Sequence, residues 1–508
     1  MHSISLVVNM AGIAASGSIL SLPLCSNLFS HAKLVHMEAT TTLTCNDQEC
    51  NRKFKKLPPS KWGRQFLFAQ VDVSEMNALA QEMERLKPKV GEMLMFSSKN
   101  VESTKKRILL IYIYIYMFVS LGVACHFEDE IEESLEEGFE KIHEMIAGED
   151  DLYTISTMFW VFRTYGYNPN VRGEYMVSLY EAAHMRTTKD DIMDEALSFT
   201  ISKLDSLAIA RASSPHISMR VRSALCMPQH YNAKMVFTRE YLSFYDQEED
   251  HNQMLLKFAK INFKFMQLHW IQELKTLSKW WKQQDFASKL PPYFRDRLIE
   301  CYSFALMLYF EPRLSHERVA QAKMFNLFTI IDDTCDRYDY MKAIFKDCES
   351  VGRSEEGLSY NVQGALEEWE YGDVVPTFDE YLEIGAVEVT MHVSIAVSFL
   401  GLGQIDREQG KKSLLMNDLT GFEDDMTREY VANAIKYYMN QYKVTEEEAF
   451  VRLQKMVRDL DKTVNEEILK TPKSVPREFT YRAGEEYTHP EGRFKEHITS
   501  LFLNLISI

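Results

Sequence analysis

Cysteine is sparse and scattered in this chain: eight among 508 residues, with no C-x-x-C pair. That removes paired-thiolate zinc sites and dithiol redox centres, and it points to reduced thiols in a reducing compartment. A basic excess is also missing. The net charge of −17 argues against nucleic acid as a partner. There is no H-E-x-x-H, no glycine-rich phosphate loop and no nucleotide-binding glycine fingerprint, so hydrolase and dinucleotide readings lack support. Long apolar runs are absent with one exception. Residues 108–125, ILLIYIYIYMFVSLGVAC, carry no charge, with Lys105, Lys106 and Arg107 before them and Glu128, Asp129 and Glu130 after. That charge asymmetry is the one a membrane span shows. Three tyrosines in strict alternation with isoleucine suit a strand better than a lipid-facing helix, so no membrane anchor is expected.

What is present fits a helical enzyme of two domains. The length exceeds one core, and 46% hydrophobic content is ample for burial. A breaker-containing patch, CMPQHYNAKMV, separates two helical patterns and places a helical domain at 38–235 and a second at 236–508. Residues 1–37 read as a presequence or an over-extended start.

The most informative stretch is LFTIIDDTCD, residues 327–336, where an apolar helical run ends in three carboxylates. Asp332 and Asp336 stand at i and i+4 and share a helix face, while Asp333 points about 100° away. Two carboxylates on one face at the end of a buried run imply solvent at a cavity mouth or a cation between them. Hard oxygen donors, with no histidine and only the single Cys335 beside them, suit magnesium better than zinc. Arg295 and Arg297 stand 37 and 35 residues upstream of Asp332, two apart before a helical pattern. A second acidic cluster, MNDLTGFEDDM, places Asn417, Gly421 and Asp425 at i, i+4 and i+8 on one helix face. Most acidic pairs in a chain with 74 Asp and Glu are solvated helix surface, so the cluster at 332–336 gains weight only from these companions.

Together these residues resemble the plant class I terpene synthases, the sesquiterpene-forming branch most closely. The collinear landmarks are PPSKWGRQFL (58–67), LGVACHFEDEIEE (121–133), DLYTISTMFW (151–160), SLYEAAHMR (178–186), LHWIQELKTLSKWW (268–281), RDRLIECYSFALMLYFEP (295–312), IIDDTCDRYD (330–339), VPTFDEYL (375–382) and EYTHPEG (486–492). The resemblance implies an all-α fold: an N-terminal alpha-barrel-like domain and a C-terminal class I terpenoid synthase helical bundle. It implies a prenyl diphosphate substrate, farnesyl diphosphate above all, clamped by three magnesium ions with manganese as the substitute. Asp332, Asp333, Asp336, Asn417, Asp418 and Asp425 would hold metal, and Asp332 and Asp336 would meet the substrate through it. Arg295 and Arg297 would hold the departing diphosphate, and Phe304, Tyr481 and Tyr487 would line a dry aromatic pocket with Val389 and Thr390 opposite. Each aromatic is equally readable as ordinary core. A monomer with no nucleic-acid or membrane partner is expected.

Several positions depart from the family pattern. Gly421 offers no side-chain oxygen where the family has Ser or Thr, Asp425 replaces a longer Glu, and Leu414 stands where an arginine is usual. Asp332 and Asn417 are only 85 residues apart, and against the family pattern segments read as shortened between Tyr338 and Tyr340, in SFLGLGQIDREQGKKSLLMND and after Tyr167. Residues 109–120 read as foreign sequence in place of a family helix. The alternatives these departures raise are a catalytically impaired homologue that still binds prenyl diphosphate and, from another class, a protein tethered through residues 108–125. The N-terminal domain lacks D-x-D-D, so its job is structural. Arg52 and Trp62 keep part of R-R-x8-W, with Lys53 in place of the second arginine. Residues 1–36 hold seven Ser and no Asp, Glu or Arg, which allows a plastid transit peptide, but Met37 reads as a native start and a cytosolic location is expected.

Overall fold

The computed structural model describes residues 62–94, 104–140, 152–167, 176–209, 215–286, 296–337, 376–388, 405–427, 433–470 and 493–508. Among them every regular element is helical. They divide into two units, neither of them continuous in sequence: one takes residues up to 70, 271–376 and 423–432, the other 71–270, 377–422 and 433–508.

The larger unit begins with α1 (Val73–Gly91), which Asp72 starts by accepting the backbone N–H groups of Ser74 and Glu75. It continues through α2 (Thr104–Ser120), α3 (Glu128–Glu140), α4 (Leu152–Thr164), α5 (Met176–Ala183), α6 (Asp191–Ile209), α7 (Pro215–Cys226) and α8 (Lys234–Tyr245). The expected strand at the isoleucine–tyrosine alternation is instead α2. Alternation at period two also puts Tyr112 and Tyr116 at i and i+4, beside Ile115 and Val119, and all four are buried. A helix apolar on every side belongs in a core. Phe162 meets Tyr112 at 5.0 Å between ring centroids, and Trp160 and Tyr241 flank Tyr116 edge-on. The Tyr112 hydroxyl donates to the Ser134 carbonyl of α3 at 3.1 Å. There α3 presents Gly138, on which a Cβ would lie only 1.4 Å from that hydroxyl. Gly122 ends the α2 segment at φ +69°, and a Cβ there would meet Thr238 at 2.9 Å. Among the described residues no helix is long and apolar enough to cross a membrane.

The patch CMPQHYNAKMV forms a short 3-10 turn, Gln229–Tyr231, between α7 and α8. After it runs α9 (Gln253–Gln284), 32 residues that pass from the larger unit into the smaller. The buried Gln267 of α9 grips the end of the chain. Its amide donates to the carbonyls of Ser500, Leu501 and Asn504 and accepts the Ile506 N–H at 2.9 Å.

The smaller unit takes the end of α9, then α10 (Leu298–Leu308) and α11 (Ser315–Arg337). Returning to the larger unit, α12 (Phe378–Glu388), most of α13 (Ile405–Thr427), α14 (Ala434–Tyr442), α15 (Glu446–Lys470) and α16 (Arg493–Phe502) complete the described chain. On α15, Asn465 donates to the carbonyls of His184 and Arg186 and meets His230 at 3.2 Å, while Lys412 of α13 pairs with Asp461 at 2.5 Å.

Candidate active site

Helix α11 is rooted by a buried ionic cluster. Arg318 is fully buried, and its guanidinium takes both oxygens of Glu273 on α9, Nε to Oε2 at 2.7 Å and Nη2 to Oε1 at 2.5 Å. Its Nη1 donates to the carbonyls of Tyr309 and Glu311, and the Tyr302 hydroxyl of α10 donates to Glu273 Oε2 at 2.7 Å. An arginine can be buried this way because nearly all its donors find acceptors, in a fork that matches the carboxylate. Burial pushes the Tyr302 phenol far above its usual range, and the Glu273 carboxylate adds to the push. One cluster thus ties α9, α10 and α11 together.

Farther along α11, one turn before the acids, the buried Thr329 lies 3.8 Å from Cys301 Sγ on α10. Leu327 and Ile330 are buried with Phe286, and Trp280, Trp281 and Met324 pack against them. Trp281 and Phe286 stand 4.8 Å apart between ring centroids. Asp332, Asp333 and Asp336 follow on the last turns of α11, and the disposition of their side chains lies outside the described residues. The acids thus follow in sequence directly on a buried aromatic–aliphatic layer.

Helix α10 is buried along most of its length, but Phe304 and Leu308 are only half-buried. Arg297, at its N-cap, stands seven and eleven residues before them, so the three fall on one stripe of the helix. The structure thus brings Arg297 and Phe304 to the same side. Arg295, Tyr481, Tyr487, Val389 and Thr390 lie outside the described residues, as do the segments around Tyr338–Tyr340 and just after Tyr167.

On α13 the neighbouring Asn417 and Asp418 part company. Asn417 is exposed, whereas Asp418 is buried. Its Oδ2 accepts the Tyr381 hydroxyl at 2.8 Å and the Ala434 backbone N–H at 2.7 Å, and its carbonyl takes the Asn433 amide at 3.3 Å. Asp418 joins α12 and α14 to α13, a packing duty that its place beside Asn417 in sequence did not suggest. Tyr437 lies tilted against Tyr381, 4.8 Å between centroids, and its hydroxyl is pushed up to about 12 by burial and the Asp418 charge. Gly421 is buried, and the Asp425 side chain is outside the described set. Leu414 is buried over Gly385 of α12, where a Cβ on the glycine would meet Leu414 Cδ2 at 2.7 Å. In this helix, then, the position where an arginine was expected is filled by an apolar side chain sealed against a neighbour.

A residue that sequence reading passed over is Glu300, in the first turn of α10. It is 3% exposed and takes the Trp62 indole N–H on Oε1 at 3.3 Å, with Arg297 Nη1 3.6 Å from the same oxygen. Burial pushes its carboxyl up, and its own backbone N–H, Arg297 and the indole pull it back. The only sequence signal was its place three residues after Arg297.

A family model described as the terpene synthase N-terminal domain matches residues 61–225, and one described as the terpene synthase family metal binding domain matches 282–357 and 358–463. "Terpenoid synthase 1" of Arabidopsis thaliana is 65% identical over the whole of both chains. The chain belongs to the terpene synthase family. It is thus of the class of lyases that act on prenyl diphosphates. "Alpha-barbatene synthase" of Arabidopsis thaliana is 41% identical across 91% of this terpene synthase and 98% of its own length. The fold is shared with isoprene synthase from grey poplar leaves, solved with three Mg2+ ions and dimethylallyl-S-thiolodiphosphate, at a TM-score of 0.69 and 22% identity over 85% of this chain and 98% of that one. The alignment to Terpenoid synthase 1 runs over 602 positions against 508 residues here, so about 94 of its positions have no residue in this chain.

Proposed function

We propose that this terpene synthase ionises farnesyl diphosphate and cyclises or rearranges the resulting allylic cation to a sesquiterpene, with release of diphosphate. The observation that carries the reading is α11, whose last turns bear Asp332 and Asp336 directly after the buried layer of Leu327, Ile330 and Phe286. Relatives named for sesquiterpene products, alpha-barbatene and (Z)-gamma-bisabolene, favour a fifteen-carbon substrate.

The donors on offer are carboxylate and amide oxygens, which fit a hard divalent cation that keeps part of its water. We assign magnesium to Asp332 and Asp336 with Asp333 in support, and to Asn417 and Asp425, with water where Gly421 has no oxygen. Asp418 falls from this set, because Tyr381 and Ala434 already engage its carboxylate. Bound magnesium would supply positive charge against the leaving diphosphate. The residues of the chain do the rest. Arg297 receives diphosphate oxygens as the allylic C–O bond breaks and its electron pair leaves with the phosphate. Arg295 acts beside it. Phe304 offers a ring face to the cation, and the packed turn before Asp332 keeps water from quenching it.

A second reading is a homologue that binds prenyl diphosphate without turning it over, favoured by Leu414 sealed on Gly385 and by Gly421. The full chain incubated with farnesyl diphosphate and magnesium, with volatiles read by mass spectrometry, separates the two. A hydrocarbon that vanishes in Asp332→Ala supports the synthase. Farnesyl diphosphate bound without product supports the second reading. We also assign the protein to the cytosol, and plastid import of a full-length fluorescent fusion would overturn that.

A further inference from the structure

We infer that Glu300 and Trp62 are positioning residues for Arg297, holding its guanidinium ready before a diphosphate arrives. This rests on the diphosphate-binding role of Arg297 proposed above, and it extends that role to a segment more than two hundred residues away in sequence.

A carboxylate buried as deeply as Glu300 costs several kcal/mol to desolvate, and an apolar residue of similar size would serve a helix packed like α10 at least as well. Glu300 has little to compensate that cost: Oε2 has no hydrogen-bond partner. Beyond its own backbone N–H, its contacts to other residues converge on Oε1, the Trp62 indole N–H and Arg297 Nη1. The spacing of these contacts is informative. At 3.6 Å the ion pair engages one edge of the guanidinium and leaves most of its five N–H donors for a ligand. The indole, 8% exposed, fixes the rotation of the carboxylate so that the shared oxygen stays aimed at Arg297. Arg297 itself sits at the helix N-cap with φ −118° and makes no side-chain capping bond, so its backbone does not set where the guanidinium points.

Gly63 turns at φ +50°, and a 3-10 turn over Gln65–Phe68 buries Phe66. This stretch forms one wall of a small cleft of about 50 Å3 lined also by Ser278 and Lys282 of α9 and by Asp296, the neighbour of Arg297. Through Glu300, the segment at residues 62–68 is mechanically joined to the group that meets the leaving diphosphate. Charge placed in advance needs no reorganisation when negative charge develops.

The test is titration of the full chain with inorganic pyrophosphate in magnesium, followed calorimetrically, for the wild type, Glu300→Gln, Trp62→Phe, Arg297→Ala and the Glu300→Gln/Arg297→Ala double variant. Glu300→Gln keeps an acceptor for the indole and removes the charge that holds Arg297. Affinity is expected to fall roughly tenfold, the scale of a misplaced binding group, and to fall no further when the change is added to Arg297→Ala. Unchanged affinity in Glu300→Gln, or losses that simply add in the double variant, overturn the inference, since a purely structural role would not need Arg297. Where Glu300→Gln does not fold, Trp62→Phe carries the same comparison. A wild-type chain that binds no magnesium pyrophosphate defeats the functional proposal itself and takes this inference with it.

Discussion

The two acid-bearing helices, α11 and α13, are each 23 residues long, yet they spend their acids differently. On α11 the ionic work of packing is done at the start, by Arg318, and the acids come 14 residues later at the far end. On α13 the two jobs fall on adjacent residues, with Asn417 outside and Asp418 inside. A step of one residue turns a side chain about 100°, so Asp418 turns into the packing against α12 and α14 while its neighbour Asn417 stays exposed. Adjacent residues of one acidic cluster can thus serve different ends, one open to solvent and the other tied into the packing.

Breaking the root of α11 should cost most. Arg318→Ala leaves Glu273 charged and buried without its partner, and a loss of about 3–5 kcal/mol in unfolding free energy is expected from denaturant titration. Asp332→Ala should spare the fold and cut product formation about 100-fold or more, which single-turnover assays with farnesyl diphosphate would read. On α13 the sign of the comparison reverses between neighbours. Asp418→Ala should destabilise by about 1–3 kcal/mol by stranding the Tyr381 hydroxyl and the Ala434 N–H. Asn417→Ala should leave the melting temperature within a degree or two and raise the magnesium concentration needed for half-maximal activity.

The smallest effect is expected from acid, at the place where α13 is anchored. Lys412 lies over the Tyr231 ring, next to His230, which burial pushes down to about 3. His184, edge-on to Tyr180 and Tyr231, is pushed down to about 4, again by burial first. Both imidazoles are neutral in the folded chain, so their stability contribution is intact above the unfolded value near 6.5 and is lost as pH falls from there toward 4 and 3. Glu181, raised to about 7 by burial, runs the other way: its penalty grows as pH rises from the ordinary carboxyl range through 7. Thermal unfolding between pH 7 and 5 should therefore shift downward only modestly in the wild type, and less still in a His230→Gln variant.

The helical class and α11 were legible in the sequence because both depend on local pattern: an apolar 3.6-residue repeat that ends in carboxylates at i and i+4. The run at 108–125 was misread as strand for an equally local reason. Tyrosines four apart satisfy the period of a strand and of a helix, and only the partners Phe162, Trp160 and Tyr241 from other elements decide between them. Asp418 and Glu300 were illegible as structural residues because their partners, Tyr381, Ala434 and Trp62, are set by tertiary packing. Leu414 was visible as a departure, but its fit against Gly385 was not, since nothing in one helix tells what its neighbour lacks.

The grip of Gln267 on the last described helix has a practical consequence for anyone shortening this chain. Ile506 gives its N–H to Gln267 Oε1, 239 positions earlier, at the centre of the longest helix. Trimming the final three residues would remove no charged group and only a little surface, yet it would leave a buried amide oxygen facing nothing. Damage at the tail would then be felt halfway along α9.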